Sequence, residues 1–294
     1  MATHLNLLLG GLFYSATLFL VACGLQLIFG VQKIVNLTCG SFYALGAYFG
    51  ITVAGLVLPL GWPPQLVLLA LVVGGAAAGL VAIPLERLLR PVYRRDPSYQ
   101  LLLTFGLLLM FQDVFRFFWG ATPQTIDGSL YAAFGFVDLQ GSLVAVYNLI
   151  VIAASAFIAI ALWAFLQRTR LGRIVRATAE NRQMTEAMGV NTSRIFTAVF
   201  AIGCMLGTLG GALVAPTTAA SLEMSAELVV AAFAVVVIGG LGSMFGALAG
   251  AVIVGLMKIA SLIFYPEAEV LAIYLVVLAV LLFKPEGLLG RKTV

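Results

Sequence analysis

Charge is what this sequence has least of. Only 10% of its 294 residues are Asp, Glu, Lys or Arg, 16 of them basic and 12 acidic. A soluble domain carries about 25% charged residues, so there are too few here to coat a surface facing water. Histidine is scarcer still: His4 is the sole one. With one imidazole, zinc ligation and Ser–His catalysis have almost no material, and no nucleophile–base–acid set or metal site can be assembled. The three cysteines, Cys23, Cys39 and Cys204, all fall in or near apolar stretches. An odd number of them gives no disulfide framework, and they read as small buried thiols. No dinucleotide fingerprint or phosphate loop is present. The nearest candidate, Gly287 to Thr293, lacks the Gly before Lys and has the wrong spacing. The chain therefore is not expected to hydrolyse ATP by that route or to bind a cofactor of its own.

What is present is apolar length. Apolar residues make up 62% of the chain, and the mean hydropathy is +1.11. The solvent implied is lipid, where the backbone must satisfy its own polar groups in helices or a closed barrel. Long unbroken apolar runs favour helices, because barrel strands alternate over about 10 residues. Spans of roughly 20 apolar residues are expected at Leu5–Phe29, Thr38–Leu58, Gln65–Ile83, Tyr99–Phe118, Leu143–Leu166, Ile195–Ala215, Leu228–Ile238, Phe245–Phe264 and Val270–Phe283. The first has no basic n-region and no small-residue cleavage site, so it reads as a mature membrane helix. The expected fold is all-α: a polytopic transmembrane helix bundle of about 8–9 segments forming one domain over residues 1–294.

Lys and Arg in short loops set orientation. Arg87, Arg90, Arg94 and Arg95 follow the third span. Six arginines lie between Gln167 and Arg194, and Lys284, Arg291 and Lys292 close the chain. These mark the cytoplasm. The stretches around Asp127 and Asp138, Glu223 and Glu227, and Glu267 and Glu269 hold acids without bases and belong outside. The N-terminus is then outside and the C-terminus cytoplasmic. Arg116 and Lys258 are the exceptions. The net charge of +4 is a topology signal, with some attraction to anionic lipid, and does not imply nucleic acid.

Glycine is plentiful at 31 residues. Gly74-Gly75-Ala-Ala-Ala-Gly79, Gly203-X-X-X-Gly207-X-X-Gly210-Gly211 and Gly246-X-X-X-Gly250 line up small residues on one helix face, which lets backbones approach closely. Two further segments look specialised. In Gly30 to Gly46 the polar residues Gln32, Lys33, Asn36 and Thr38 interrupt a long helical hairpin, and Ser41 is a candidate cap for the next helix. This is either a broken helix beside a translocation path, since irregular backbone at membrane depth needs protein or a watery cavity, or a short cytoplasmic turn. Gly239-Gly240-Leu241-Gly242-Ser243 has the same Gly-Ser opening and reads as a break or tight turn. Both following helices run the same way, so nothing supports an inverted repeat. The candidate path residues are Asn36, Thr38, Cys39, Ser41, Gly239, Gly240, Gly242 and Ser243. Gln26, Thr104 and Gln112 mark an alternative route.

The stretch 167–194 is the chain's one substantial charged loop. Arg173 to Met188 is rich in helix formers, Gly189 is suited to end a helix, and Asn191-Thr192-Ser193 can cap the next. A short helix between two spans makes a knob for a soluble partner's cleft, or else an ordinary solvated loop.

The run from Thr169 to Asn191, TRLGRIVRATAENRQMTEAMGVN, resembles the coupling loop of branched-chain amino acid ABC transporter permeases (LivH/LivM type). Leu27 to Tyr48, Phe233 to Ala247 and Leu282 to Gly290 resemble three further stretches of that family, in the same order. The resemblance implies a permease subunit of a bacterial ABC importer in the inner (plasma) membrane. Its partners would be a second permease subunit, two ATP-binding subunits using ATP and Mg, and a periplasmic substrate-binding protein. It implies that Ala177, Ala179, Glu180, Met184, Glu186, Ala187 and Gly189 receive the stroke of the ATPases. Members often carry histidine in the Asn-X-X-His-Gly part of the first stretch, where this chain has Cys39. The substrate therefore stays open between a branched-chain amino acid and a related amide or organic acid. The alternative is a stand-alone secondary transporter or channel, which needs ionisable groups within the bundle. Only Asp113, Arg116 and Lys258 qualify.

Overall fold

The computed structural model describes residues 2–126, 128–139, 142–264, 266–284 and 286–289. Asp127, Arg291 and Lys292, three of the charges used for orientation, lie outside the described residues.

Helices form where the apolar runs stand. In the first half they are α1 (Ala2–Gln32), α2 (Thr38–Val57), α3 (Pro64–Gly79), α4 (Ala82–Leu89) and α5 (Pro97–Trp119). A short α6 (Ser129–Ala133) leads into an antiparallel hairpin of β1 (Phe136–Leu139) and β2 (Ser142–Ala145). The second half holds α7 (Val146–Arg168), α8 (Arg170–Glu180), α9 (Arg182–Ala187), α10 (Thr192–Val214), α11 (Met224–Gly239), α12 (Met244–Phe264) and α13 (Glu269–Phe283). Among the described residues, 7 helical stretches are long and apolar enough to cross a membrane, and Met224–Gly239 and Leu271–Phe283 are shorter apolar helices. Together these account for the nine stretches expected from hydropathy.

The structure corrects the expectation in three places. The fold is not strictly all-α: beside the hairpin, Gln124 and Ala220 form an isolated bridge. The span expected from Leu143 begins at Val146, because Phe136, Val137 and Val144 favour a pleated pair. The arginine cluster after the third span is not a loop. Ala82–Leu89 continues as helix, and one turn of 3-10 helix follows over Arg90–Arg94.

The core lies where α1, α2, α10, α11 and α12 meet. Leu18 to Leu25 of α1 are all buried, as are Val199, Phe200 and Cys204 of α10. Outer helices keep one apolar face uncovered, as at Leu102 and Met110 of α5 and Phe157 and Ile160 of α7. That is the pattern of a surface in contact with lipid tails. The expected small-residue faces are packing faces. A methyl group on Gly24 would collide with the Gly203 carbonyl, and one on Gly46 with the Thr208 carbonyl. The central helices thus cross backbone to backbone.

These contacts also fix directions. Gly24 meets Gly203 while Thr17 meets Gly210, so α1 and α10 are antiparallel. Gln26 meets the Gly240–Ser243 turn while Gly11 meets Leu256, so α12 is antiparallel to α1 as well. Cys39 lies at Gly207 and Gly50 at Ala212, so α2 runs with α10. Both helices that open on Gly-Ser therefore point the same way, as expected. One end of the bundle collects the arginine-rich stretches and Lys284, and the other Glu223, Glu227 and Glu267. We call them the basic and acidic ends. Arg116, at the last turn of α5, stays at the acidic end. The Lys258 ammonium sits 4.4 Å over the Tyr14 ring.

Candidate functional site

The first specialised segment is a re-entrant break. Gln32 Nε2 donates to the Phe196 carbonyl at 2.9 Å, so α1 reaches down to the first turns of α10. Lys33 then turns the chain with φ of 58°, the one positive-φ non-glycine among the described residues. α2 begins beside Gly207, eleven residues and about 16 Å further along α10. Residues 33–37 therefore climb back into the bundle as non-helical backbone. Asn36 and Thr38 are both 0% exposed. Asn36 Oδ1 accepts from Thr38 N at 3.0 Å and Thr38 Oγ1 at 2.6 Å, which opens α2. Ser41 is not the cap. It lies inside α2, and its hydroxyl has no partner in the protein. Cys39 is 2% exposed and packs at Gly207.

The second segment is the expected tight turn. Gly240 and Gly242 take φ of 93° and 84°, a region side chains disfavour. Ser243 Oγ caps α12 by accepting from Gly246 N at 3.0 Å. The last carbonyls of α11 are met by the C-terminal stretch, with Leu288 N on Ile238 O at 2.8 Å and Leu289 N on Gly239 O at 3.1 Å. Gln26, buried in α1, ties the turn down. Its Nε2 donates to Gly240 O at 2.8 Å, and its Oε1 accepts from Gly242 N at 2.6 Å. The two segments have different neighbours: Asn36–Ser41 lies on α10 and α11, and Gly239–Ser243 lies on α1 and the C-terminal stretch.

Replacing Gln26 with leucine removes both ties; Gly240 O keeps Ser243 N at 3.3 Å, but the Gly242 amide is orphaned, which costs about 1–3 kcal/mol. Amide exchange over Leu241–Ser243 should then accelerate while α2 keeps its protection. Equal exchange in both proteins would show that the turn holds itself.

The charged loop folds as two helices, not one. α8 is capped by Thr169, which accepts from Gly172 N at 3.0 Å. Asn181 breaks the expected Arg173–Met188 helix. With φ of −148° and ψ of 99° it ends α8 and caps α9, accepting from Met184 N at 3.0 Å. Asparagine side chains compete with the helix backbone in this way. Gly189 ends α9 at φ of 80°, and Asn191 caps α10 through Arg194 N at 3.3 Å, both as expected. Val175, Thr178 and Thr185 face inward, while Ala177, Glu180, Met184, Glu186, Ala187 and Gly189 are exposed and Ala179 is half-buried. Met184 and Met188 are 64% and 78% exposed, so the knob presents apolar side chains among charges.

Between knob and bundle lies a polar cluster that the sequence reading missed. Glu86 of α4 is 0% exposed. Arg90 Nε reaches both its oxygens at 3.1 and 3.0 Å, and Arg90 Nη2 is 3.0 Å from Oε2. Thr197 of α10 donates to Glu86 Oε2 at 2.8 Å and accepts from Arg90 Nη2 at 2.5 Å. The i,i+4 spacing of Glu86 and Arg90 was a readable signal; the burial was not.

A bundle of apolar helices, entered by a buried polar break and carrying a two-helix knob at one end, defines a membrane transport subunit. Comparison with known proteins places it more narrowly. The chain belongs to the family of branched-chain amino acid transport system permease components, which it matches over residues 7–283. It is similar to the high-affinity branched-chain amino acid permease BraD of Pseudomonas aeruginosa, at 25% identity over 99% of this chain and 97% of that one. The probable LivH permease of Methanocaldococcus jannaschii is 29% identical over 96% of this chain and 91% of its own. The fructose import permease FrcC of Rhizobium meliloti is 26% identical over 86% and 73%.

Proposed function

We propose that this chain is the membrane-spanning permease subunit of a bacterial importer, moving a small polar solute with energy from ATP hydrolysed on separate subunits. The observation that carries the reading is the α8–α9 knob, exposed, capped at both helix starts and rooted on α7 and α10. Such a knob can pass a rigid-body push to the helices on either side. Family membership supports the transport role. The solute is a branched-chain amino acid, as named for BraD and LivH, or a related amide or organic acid. The chain binds no cofactor of its own; ATP and Mg belong to the partner subunits.

In this reading the chain lies in the inner membrane with its basic end in the cytoplasm, its N-terminus outside and its C-terminus inside. Two ATP-binding subunits seat on the knob at Ala177–Gly189. A second permease subunit covers part of the exposed helix faces, and a periplasmic binding protein delivers solute to the acidic end. The bundle alternates access about a path flanked by the broken segment. That path takes in Asn36, Thr38, Cys39 and Ser41, together with Gly239, Gly240, Gly242 and Ser243. A stand-alone transporter would need charges along the path, whereas Asp113 and Arg116 lie on the exposed side of α5.

Orientation tests the frame directly. In a variant without the buried cysteines, Arg182→Cys should react with an impermeant thiol reagent only after the membrane is opened. Glu223→Cys should react in intact cells. Reaction of position 182 from outside overturns the proposal.

A further inference from the structure

Two cavities lie near the basic end, and Tyr93 lines both. The inner one is about 10 Å³, room for a single water. Its walls include Gln32, Ile34, Asn36, Thr104 and Phe200. The outer one is a cleft of about 440 Å³ reaching the knob, with Glu86, Arg90, Arg182 and Phe196 in its walls. Tyr93 thus stands between a small inner chamber and a larger outer cleft.

The chamber is built for a polar occupant. Gln32 Oε1 and Asn36 Nδ2 are buried there without a partner in the protein. Buried amide groups do not stay unpaired without cost. No charged side chain lines the chamber, and Leu89, Leu103 and Phe200 give it apolar walls. At this volume the amide and hydroxyl lining suits a single water; widened, the same lining over apolar walls would suit a solute of no net charge that carries a hydrogen-bonding group and an apolar body.

Tyr93 is tied to the knob. The Phe196 ring meets the Tyr93 ring edge-on, with centroids 6.0 Å apart. The Arg182 guanidinium of α9 lies 4.9 Å over the other partner in this stack, Phe196. The carbonyl of Phe196 holds Gln32, whose remaining amide oxygen faces the chamber. From α9 to the chamber wall there are only two side-chain contacts.

We propose that Tyr93 is the inner gate of the solute path, and that Phe196, seated under Arg182 of the knob, is the positioning residue that opens and closes it. This rests on the importer reading above. Displacement of α9 carries Arg182 off Phe196, Phe196 releases the Tyr93 ring, and the chamber joins the cleft. The return stroke restores the stack.

The test uses the full complex with its ATP-binding subunits and binding protein, reconstituted in vesicles. Ile34→Cys in a background lacking the native cysteines reports access to the chamber from the basic side. Without nucleotide, adding Tyr93→Ala should raise its labelling rate at least tenfold. Adding Phe196→Leu should leave ATP hydrolysis running but abolish the dependence of labelling on nucleotide, and Phe196→Tyr should restore it. Arg182→Gln, an exposed change that does not threaten folding, should weaken that dependence severalfold. Unchanged labelling in Tyr93→Ala, or full nucleotide dependence in both Phe196→Leu and Arg182→Gln, overturns the gate. If Phe196→Leu does not assemble, Tyr93→Ala and Arg182→Gln decide alone. Failure of the ATP-binding subunits to dock on the wild-type chain would instead overturn the importer reading, before any labelling is measured.

Discussion

Arg90→Met should be among the more damaging single changes in this protein, costing about 1.5–3 kcal/mol of stability, less than a fully buried pair because the Arg90 side chain is itself 39% exposed. The reason is what it leaves behind. Glu86 has no exposure of its own, and three Arg90 contacts within 3.1 Å plus the Thr197 hydroxyl hold its charge. Without Arg90 the carboxylate is left at the wall of the cleft with the Thr197 hydroxyl, and one hydroxyl cannot replace a guanidinium. The double replacement Glu86→Leu with Arg90→Met should recover most of the loss, since an apolar pair of similar volume is often as stable as a buried ion pair. Thermal unfolding of the purified protein in detergent checks both. A single variant as stable as the wild type would mean that water reaches Glu86 and that the pair is ordinary surface charge.

That cluster shows where sequence reading stops. The spans were legible because lipid demands long apolar helices, and each of the nine expected stretches recurs as a helix with its ends shifted. Local chemistry was legible too. Gly189 and Asn191 end and start helices as their residue types require. Glu86 and Arg90 were not legible as a core element, because an arginine cluster after a span reads as a topology signal. Only the fold of α4 under α10 buries Glu86. Asn181 sits among good helix formers, and a single capping residue in such a run is a weak signal against propensity. The hairpin of β1 and β2 was lost for the opposite reason: its apolar residues joined smoothly to those of α7.

The candidate path was half legible. Polar residues between two apolar runs marked Gln32 to Thr38 as special, but turn and re-entrant break look the same in sequence. Depth decides between them. It comes from α1 ending at Phe196 while α2 starts at Gly207, a comparison of levels that needs coordinates. Gln26 and Thr104 had been placed on an alternative route. The structure puts Thr104 in the chamber with Asn36 and uses Gln26 to hold the glycine turn. Thr38, Cys39 and Ser41 are buried beside the chamber, not in the lining that includes Asn36.

The knob carries the second large effect. Glu186 Oε1 accepts from Arg182 Nε at 2.8 Å and from Thr192 Oγ1 at 2.6 Å, so one carboxylate ties α9 to the first turn of α10. Gly189 closes α9 with paired hydrogen bonds, Gly189 N to Glu186 O at 3.0 Å and Val190 N to Thr185 O at 3.3 Å. That closure needs the left-handed backbone glycine supplies. An exposed ion pair contributes at most about 1 kcal/mol, so the fold does not depend on it; the shape of the knob does. In Glu186→Arg with Gly189→Val, two arginines repel where a pair stood, Thr192 loses its acceptor, and a β-branched residue is forced to positive φ. The protein should still insert and assemble. In vesicles, solute uptake should fall at least tenfold, while ATP hydrolysis continues without stimulation by the loaded binding protein. The same loss should not follow Arg173→Gln, an exposed residue outside the seat at Ala177–Gly189. Uptake and stimulated hydrolysis at wild-type levels in the double variant would reduce the knob to a marker of topology.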